Sequence, residues 1–172
     1  MDPRFAHITD WIFDLDNTLY PASTRLFDLI DERMSAYVQR LLDCGPDEAK
    51  RVQKGYFREH GTTLAGLMTH HAVEPHHFLD DVHDIALDRI APDQRLAEAL
   101  RRLPGRRFVF TNGNASYAER VLTAIGEDFH GLVDIHACDY RPKPDAHGYA
   151  LIVERFGIDP RKGCWSRTWP KI

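Results

Sequence analysis

The sequence predicts an α/β protein in which helices cover both faces of a parallel sheet and a helical unit is inserted after the first strand. Short apolar runs of strand length alternate with amphipathic segments of helical periodicity, as in strands joined by helical crossovers. Two of these runs end directly in polar residues, at Asp14 and at Thr111. In addition, about seventy residues of helical pattern follow the first strand, which is too long for an ordinary loop.

Length and charge restrict the class of protein. A chain of 172 residues suits one compact domain with an inserted subdomain. Its 22 basic and 26 acidic residues give a net charge of -4, without the basic excess typical of proteins that bind nucleic acid or anionic membranes. No apolar run approaches the ~18 residues of a membrane helix. We expect a cytoplasmic protein, monomeric or homodimeric, that binds a small molecule rather than nucleic acid or a membrane.

The cysteines give no sign of a disulfide framework. There are three of them, an odd number, and no two have the C-x-x-C spacing of a zinc knuckle: Cys44, Cys138 and Cys164. We therefore expect reduced thiols.

The first strand delivers two carboxylates. The apolar run at 11–13 is followed by Asp14, and Asp16 comes two residues later. This spacing places both carboxylates on the same side of the chain at a sheet edge. Two like charges there cost desolvation and mutual repulsion unless a cation compensates them. The pattern therefore indicates a functional site rather than a purely structural turn.

Residues 20–90 are predicted to form a helical cap. Apolar residues recur at helical spacing from 26 to 42, and the sequence Cys44-Gly45-Pro46 ends this first helix. A second helix begins near Pro46 and ends at Gly61. Two shorter helices are expected over 63–71 and 75–88.

The alternating pattern resumes in residues 91–172, which together with residues 1–19 are predicted to form a Rossmann-like core. A helix is expected between Pro92 and the break at Pro104-Gly105, before a strand at 107–111. Asn114 or Ser116 caps the next helix, which ends at Gly126. A third apolar run covers 132–137. The last helix is capped by Asp145 and ends at Gly157.

The carboxyl ends of parallel strands meet at one edge of the sheet, where ligands usually bind. This edge is predicted to gather Asp14, Asp16, Thr111, Asn112 and Lys143. One aspartate can act as a nucleophile on phosphorus and the other as a proton donor, while lysine and threonine bind phosphoryl oxygens. Mg²⁺ would offset the accumulated negative charge.

Three motifs in this order resemble those of the haloacid dehalogenase superfamily: Asp14-Leu15-Asp16-Asn17-Thr18, Thr111-Asn112 and Lys143-Pro144. Within that superfamily, the chain resembles the pyrimidine 5'-nucleotidase group in three segments: Asp14 to Tyr20 with Pro21, residues 56–64 and residues 110–113. The resemblance implies Mg²⁺-dependent hydrolysis of nucleoside 5'-monophosphates, with pyrimidines preferred, through an aspartyl-phosphate.

The resemblance also implies roles for individual residues. Asp14 would be the nucleophile and Asp16 the general acid and then base, both of them also binding Mg²⁺. Thr111, Asn112 and Lys143 would bind the phosphoryl group. Candidates for contact with the leaving group lie in or near the cap: Tyr20, Ser23, Arg25, Tyr56 and Arg58.

The fourth motif of the family, an acidic pair ending a further strand, is missing. Residues 163–172 contain no carboxylate and hold two of the three tryptophans. Back-translation read from the third base of the Gly163 codon permits Val-Leu-Val-Glu-Asp-Leu-Ala-Lys-Asn, an apolar strand that ends in an acidic pair. We therefore expect a truncated or frameshifted C-terminus, from about Lys162 or Gly163, with the final strand of the core missing and little or no phosphatase activity.

Two alternatives stay open. One is a phosphatase of the same superfamily that acts on another small substrate, such as a sugar phosphate or phosphoglycolate. The other is a noncatalytic remnant that binds a ligand without turnover. A dehalogenase is disfavoured by Asp16, because dehalogenases of the superfamily lack an acid at that position.

Overall fold

A computed structural model describes residues 5–166 and contains a parallel four-stranded sheet at its centre. The strands lie in the order β3-β2-β1-β4. Their bounds are β1 (Asp10–Phe13), β2 (Arg106–Phe110), β3 (Gly131–Val133) and β4 (Gly163–Ser166). The predicted parallel α/β fold is thereby confirmed.

Helices pack against both faces of this sheet. Five α-helices lie between β1 and β2, and the first four form the helical insert: α1 (Leu26–Leu42), α2 (Pro46–His60), α3 (Thr63–His71) and α4 (Pro75–His83). The fifth is α5 (Gln94–Arg101), and β2 and β3 are followed by α6 (Ala115–Ile125) and α7 (Ala146–Phe156), respectively. Among the described residues, none of the helices combines the length and apolar character that crossing a membrane requires.

The central strands are buried on both faces, as expected for a parallel sheet between helices. On one face, Val109 of β2 packs in a cluster that includes α6 and the helical insert. On the other face, Ile12 and Phe108 pack with Ile152 of α7. The register pairs Ile12 with Phe108 and Phe13 with Val109, so β1 and β2 end side by side. This places the residues that follow the two strands at a common edge.

Two elements are shorter than their apolar patterns predict. The helix expected over 75–88 ends at His83, where the Arg120 side chain donates to the carbonyl oxygens of His83 at 3.2 Å and of Ile85 at 2.5 Å. The strand expected over 132–137 ends at Val133. There the Asp134 carboxylate accepts hydrogen bonds from the backbone N–H groups of residues 115 and 137, at 2.9 and 3.0 Å. A side-chain hydrogen bond replaces regular backbone pairing in both cases; at α4 it comes from a residue distant in the chain, and at β3 from the residue directly after the strand.

The prediction that the final strand is missing is wrong for residues up to Ser166, because Gly163–Ser166 form β4. Strand β4 pairs in parallel with β1, from Asp10 opposite Gly163 to Phe13 opposite Ser166. Backbone groups make this pairing whatever the side chains, and Trp165 adds ring contacts with Phe110 and Tyr149. The rest of the segment assigned to a frameshift, 167–172, lies outside the described residues, so the frameshift stays a prediction.

Candidate active site

The two acids after β1 have different surroundings. Asp14 follows the last residue of the strand, and its Oδ1 atom accepts hydrogen bonds from Lys143 Nζ at 2.6 Å and from the backbone N–H of Leu15 at 2.8 Å. The Lys143 and Asp14 side chains are 12% and 21% exposed. Such a charge-assisted contact, largely shielded from water, is stronger than a hydrogen bond between neutral groups and holds the carboxylate beside the ammonium group.

Lys143 is held in place from two directions. Its Nζ atom also donates to the carbonyl oxygen of Phe110, at 2.6 Å, and its backbone N–H donates to Asn112 Oδ1, at 2.8 Å. Both of these acceptors lie at the end of β2. Asn112 therefore orients the lysine loop through its side-chain oxygen, and the lysine in turn reaches across to Asp14.

Thr111 is fully buried at the end of β2. Its backbone N–H donates to Val133, and its Oγ1 atom accepts from the backbone N–H of Gly113 at 2.9 Å. Because the hydroxyl acts as acceptor in this turn, its own proton is left for donation. A buried hydroxyl of this kind can bind an oxygen of an anion placed at the strand ends.

Asp16 is surrounded by tyrosines rather than by cations. Its Oδ1 atom accepts hydrogen bonds from the hydroxyls of Tyr20, at 2.5 Å, and Tyr117, at 2.9 Å. Burial raises the pKa of Asp16, the two hydroxyls act in the opposite direction, and the Asp14 charge adds to the increase. Burial also raises the pKa of both tyrosines, so they stay protonated. Asp16 therefore holds a proton more readily than an ordinary aspartate.

Sequence reasoning missed Tyr117. It lies in the first turn of α6, where Asn114 caps the helix by accepting from the backbone N–H of Tyr117 at 3.1 Å. On the other side its ring stacks on His83 of α4, with centroids 4.5 Å apart and planes 9° apart. Its position just after the Thr111-Asn112 motif, in a helix that starts at the same sheet edge, is a signal that could have identified it.

The predicted leaving-group residues lie in different surroundings. Tyr20 is buried against Asp16, whereas Ser23 and Arg58 are exposed. Arg25 donates to Asp28 at 2.7 Å with its side chain 75% exposed. Tyr56 hydrogen-bonds His71 within the helical insert. Within the described part of the chain, hydrogen bonds join Asp14, Lys143 and Asn112 into one network. Another hydrogen bond joins Tyr20 to Asp16. The other four candidates are hydrogen-bonded to neither acid in this part of the chain.

The donor set for a divalent cation is incomplete in residues 5–166. No three side chains of His, Cys, Asp or Glu in this range are arranged to hold a metal ion. Asp14 and Asp16 supply two carboxylates, and β4 meets them at Ser166, whose carbonyl oxygen accepts from the Asp14 backbone N–H at 3.3 Å. The acidic pair that the family places at the end of this strand has no counterpart there.

A pocket opens beside the Asp14–Lys143 pair on the side of β4. Apart from those two residues it is lined mainly by apolar and aromatic side chains: Ile12, Phe13, Phe110, Tyr149, Trp165 and Ser166. Trp165 is 37% exposed, so part of this wall faces solvent. The ion pair is thus accessible from an aromatic surface.

Comparison with known proteins identifies the family to which the chain belongs. The family model of haloacid dehalogenase-like hydrolases matches residues 12–165. The chain is also 29% identical, over 173 aligned residues, to Phosphate metabolism protein 8 of Saccharomyces cerevisiae. That alignment covers 90% of this chain and 54% of the yeast protein, so the chain spans about half the length of this relative.

Solved structures agree on the fold. The structure of L-2-haloacid dehalogenase from Xanthobacter autotrophicus matches with a TM-score of 0.51 and 20% identity, covering 92% of this chain and 69% of that one. The HAD hydrolase YfnB from Bacillus subtilis, crystallised bound to magnesium, matches with a TM-score of 0.52 and 14% identity, covering 92% and 77%. Identities this low show the fold alone. The family match over residues 12–165 is decisive: the chain belongs to the haloacid dehalogenase-like hydrolases.

Proposed function

We propose that the protein is a phosphomonoesterase that hydrolyses nucleoside 5'-monophosphates, with pyrimidines preferred, through an aspartyl-phosphate on Asp14. The observation that carries this proposal is the contrast between two neighbouring acids. Asp14 is paired with Lys143 at 2.6 Å, whereas Asp16 is half-buried beside two tyrosine hydroxyls and has a raised pKa. Two neighbouring carboxyl groups, one held beside a cation and the other with a raised pKa, are suited to separate roles as nucleophile and acid.

In the first step an oxygen of the Asp14 carboxylate attacks phosphorus and forms a new O–P bond, while the ester O–P bond breaks. Asp16 gives its proton to the leaving oxygen, so the nucleoside departs as a neutral alcohol. Lys143 and the Thr111 hydroxyl stabilise the negative charge on the phosphoryl oxygens. The products are the alcohol and phosphorylated Asp14.

In the second step water attacks phosphorus, and ionised Asp16 removes a proton from that water. The O–P bond to Asp14 breaks, inorganic phosphate leaves, and both aspartates return to their starting protonation states. Asp16 therefore serves in turn as general acid and general base.

The proton on Asp16 favours an ester over a halide as the leaving group. A halide departs as a stable anion and needs no proton, whereas an alkoxide must be protonated as it leaves. This supports hydrolysis of an oxygen ester, and the yeast relative's name, Phosphate metabolism protein 8, agrees with a phosphorylated substrate.

Mg²⁺ is the proposed cofactor, and Asp14 and Asp16 are the residues that would hold it, Asp16 through an atom other than its carboxyl oxygens, which are engaged by the two tyrosines and by the transferable proton. When bound it would offset negative charge at the phosphoryl group. Support comes from the two acids that follow β1 and from YfnB, which was crystallised with magnesium. The residues described here do not complete the site, because a third acid is missing.

The helical insert is proposed to act as a cap. In this division residues 1–19 and 91–172 are the core and residues 20–90 the cap, which would select the leaving group. Ser23, Arg25, Tyr56 and Arg58 stay candidates for that selection.

Two other functions fit the same site. One is hydrolysis of another small substrate, such as a sugar phosphate or phosphoglycolate, with which selection by the insert is equally compatible. The incomplete acid set favours a noncatalytic remnant that binds a ligand without turnover.

The test is a side-by-side assay of the 172-residue chain and a version whose reading frame is restored from Gly163. Both are given Mg²⁺ with uridine and cytidine monophosphate, a sugar phosphate or phosphoglycolate. We expect the restored version to hydrolyse the nucleotides fastest and the chain as given to be slow or inactive. Inactivity of both on every ester would refute phosphatase function, and fast Mg²⁺-dependent turnover by the chain as given would refute the need for a further acid.

A further inference from the structure

Two tyrosine hydroxyls converge on one oxygen of the Asp16 carboxyl group. Tyr20 lies in the loop after β1 and Tyr117 lies in α6, so they reach Asp16 from different elements. Their distances to Oδ1 are 2.5 and 2.9 Å, and their oxygens are 3.2 Å from each other. Since the contact between the hydroxyls is the longest of the three, both protons are directed to the carboxyl group.

We propose that Tyr20 and Tyr117 are positioning residues that hold Oδ1 of Asp16 as a hydrogen-bond acceptor and make Oδ2 the oxygen that passes the proton to the leaving group. This inference rests on the phosphomonoesterase function proposed above. It gives Tyr20 a role within the core, different from the contact with the leaving group expected from the sequence.

The two oxygens differ because a carboxyl oxygen can accept only a limited number of hydrogen bonds. Each such oxygen accepts about two hydrogen bonds through its lone pairs, and the two tyrosines use both of them on Oδ1. In the neutral acid Oδ1 is then the carbonyl oxygen, and the proton belongs on Oδ2. The carboxyl group cannot rotate to exchange its oxygens without breaking both hydrogen bonds.

The two tyrosines are themselves immobilised. Tyr20 is 3% exposed and Tyr117 is 1% exposed. The Tyr117 ring lies flat against His83, and Asn114, which caps its helix, donates from Nδ2 to Asp80 Oδ1 at 3.1 Å. Both His83 and Asp80 belong to α4, so the helical insert fixes Tyr117 and, through it, the orientation of Asp16.

The kinetic test compares two esters in the variants Tyr20→Phe and Tyr117→Phe, made in the version whose reading frame is restored from Gly163, because that version is expected to turn over. The leaving group of p-nitrophenyl phosphate departs without protonation, whereas that of uridine monophosphate requires the Asp16 proton. We expect each variant to lower kcat on uridine monophosphate about tenfold, with KM changed less than about twofold and the p-nitrophenyl rate nearly unchanged. Equal losses on both esters, or no loss on either, would overturn the inference.

Tyr37→Phe is the matched control. Tyr37 is also buried, at 8% exposure, and its hydroxyl lies 3.0 Å from His77 Nδ1 within the helical insert, away from Asp16. It loses the same hydroxyl from a tyrosine of similar burial. We expect its rates on both esters to equal those of the parent chain.

A second readout does not depend on turnover. Buried, hydrogen-bonded tyrosine hydroxyl protons exchange slowly enough to be followed by proton NMR. We expect Tyr20→Phe and Tyr117→Phe each to remove one resonance and Asp16→Ala to shift both, while Tyr37→Phe leaves both in place. Resonances unmoved by Asp16→Ala would overturn the positioning contact, whereas a chain that hydrolyses neither ester but shows the expected shifts contradicts only the proposed reaction.

Discussion

Lys143 Nζ lies 2.6 Å from Asp14 Oδ1, although the two residues are 129 positions apart in the chain. The parallel sheet brings them together, because β1 ends at Phe13, next to the end of β2, and the Lys143 loop is fastened to β2 through Phe110 and Asn112. The pair combines the proposed nucleophile with the cation that would bind the transferred phosphoryl group. This contact is the geometric basis of the proposed chemistry.

In the version whose reading frame is restored from Gly163, replacing Lys143 with Met removes the ammonium group while keeping a flexible side chain of similar length. We expect kcat/KM on a phosphomonoester to fall by at least roughly a hundredfold, because a charged donor to the phosphoryl oxygens is lost. Lys50→Met is the control, since the Lys50 side chain is 63% exposed and pairs with Asp31 at 3.8 Å. Similar activity in the two variants, with thermal unfolding showing both folded, would contradict the role of Lys143.

Gly66 is needed where α3 crosses α2. A Cβ atom at this position would lie 2.3 Å from Tyr56 Cβ, so Gly66→Ala must push the helices apart. We expect it to lower the free energy of unfolding by about 1–3 kcal/mol. Denaturant titration measures this directly.

Gly55→Ala is the matched comparison, because nothing lies within 4 Å of a Cβ atom there. It places alanine in the interior of α2 and is expected to raise the free energy of unfolding by about 0.5–1 kcal/mol. A change of stability in the same direction in both alanine variants would contradict the close contact between α2 and α3.

His83 makes stability depend on pH. Burial lowers its pKa to about 4 from the ordinary 6.5, with the nearby Arg120 charge acting in the same direction. Between these values the unfolded chain binds the proton more readily, so stability is lost as the pH falls from about 6.5 towards 4.

The variant His83→Phe keeps a ring against Tyr117 but cannot titrate. Between pH 7 and pH 5 we expect the parent chain to lose about 2 kcal/mol more unfolding free energy than this variant does. Urea titrations at the two pH values measure the difference. Equal losses in the two proteins would show that His83 is not buried in its neutral form.

Much of the site followed from the sequence because it depends on strand ends. Asp14 and Lys143 lie where the alternation of strands and helices places them, and the cap of α6 is Asn114, one of the two predicted residues. Tyr117 was not predictable in the same way. Its contact with Asp16 depends on how α6 is rotated about its axis, and that rotation is set by packing against His83 and α4.

The ends of elements were predictable only in part. The end of α4 at His83 depends on Arg120, which lies 37 positions later in the chain. Strand β4 forms from Gly163 to Ser166 although this segment has an unusual composition, since ladder hydrogen bonds need only an available backbone edge. Helical periodicity and apolar runs carry no information about such distant partners.

The most direct test of the aspartyl-phosphate proposal is to trap the covalent intermediate. The protein is incubated with Mg²⁺ and uridine monophosphate, reduced with borohydride and examined by peptide mass spectrometry, which detects even a single turnover. We expect conversion of residue 14 to homoserine in the parent sequence and none in Asp14→Asn. Hydrolysis of the ester without homoserine at position 14, or equal hydrolysis by Asp14→Asn, would contradict nucleophilic catalysis by Asp14.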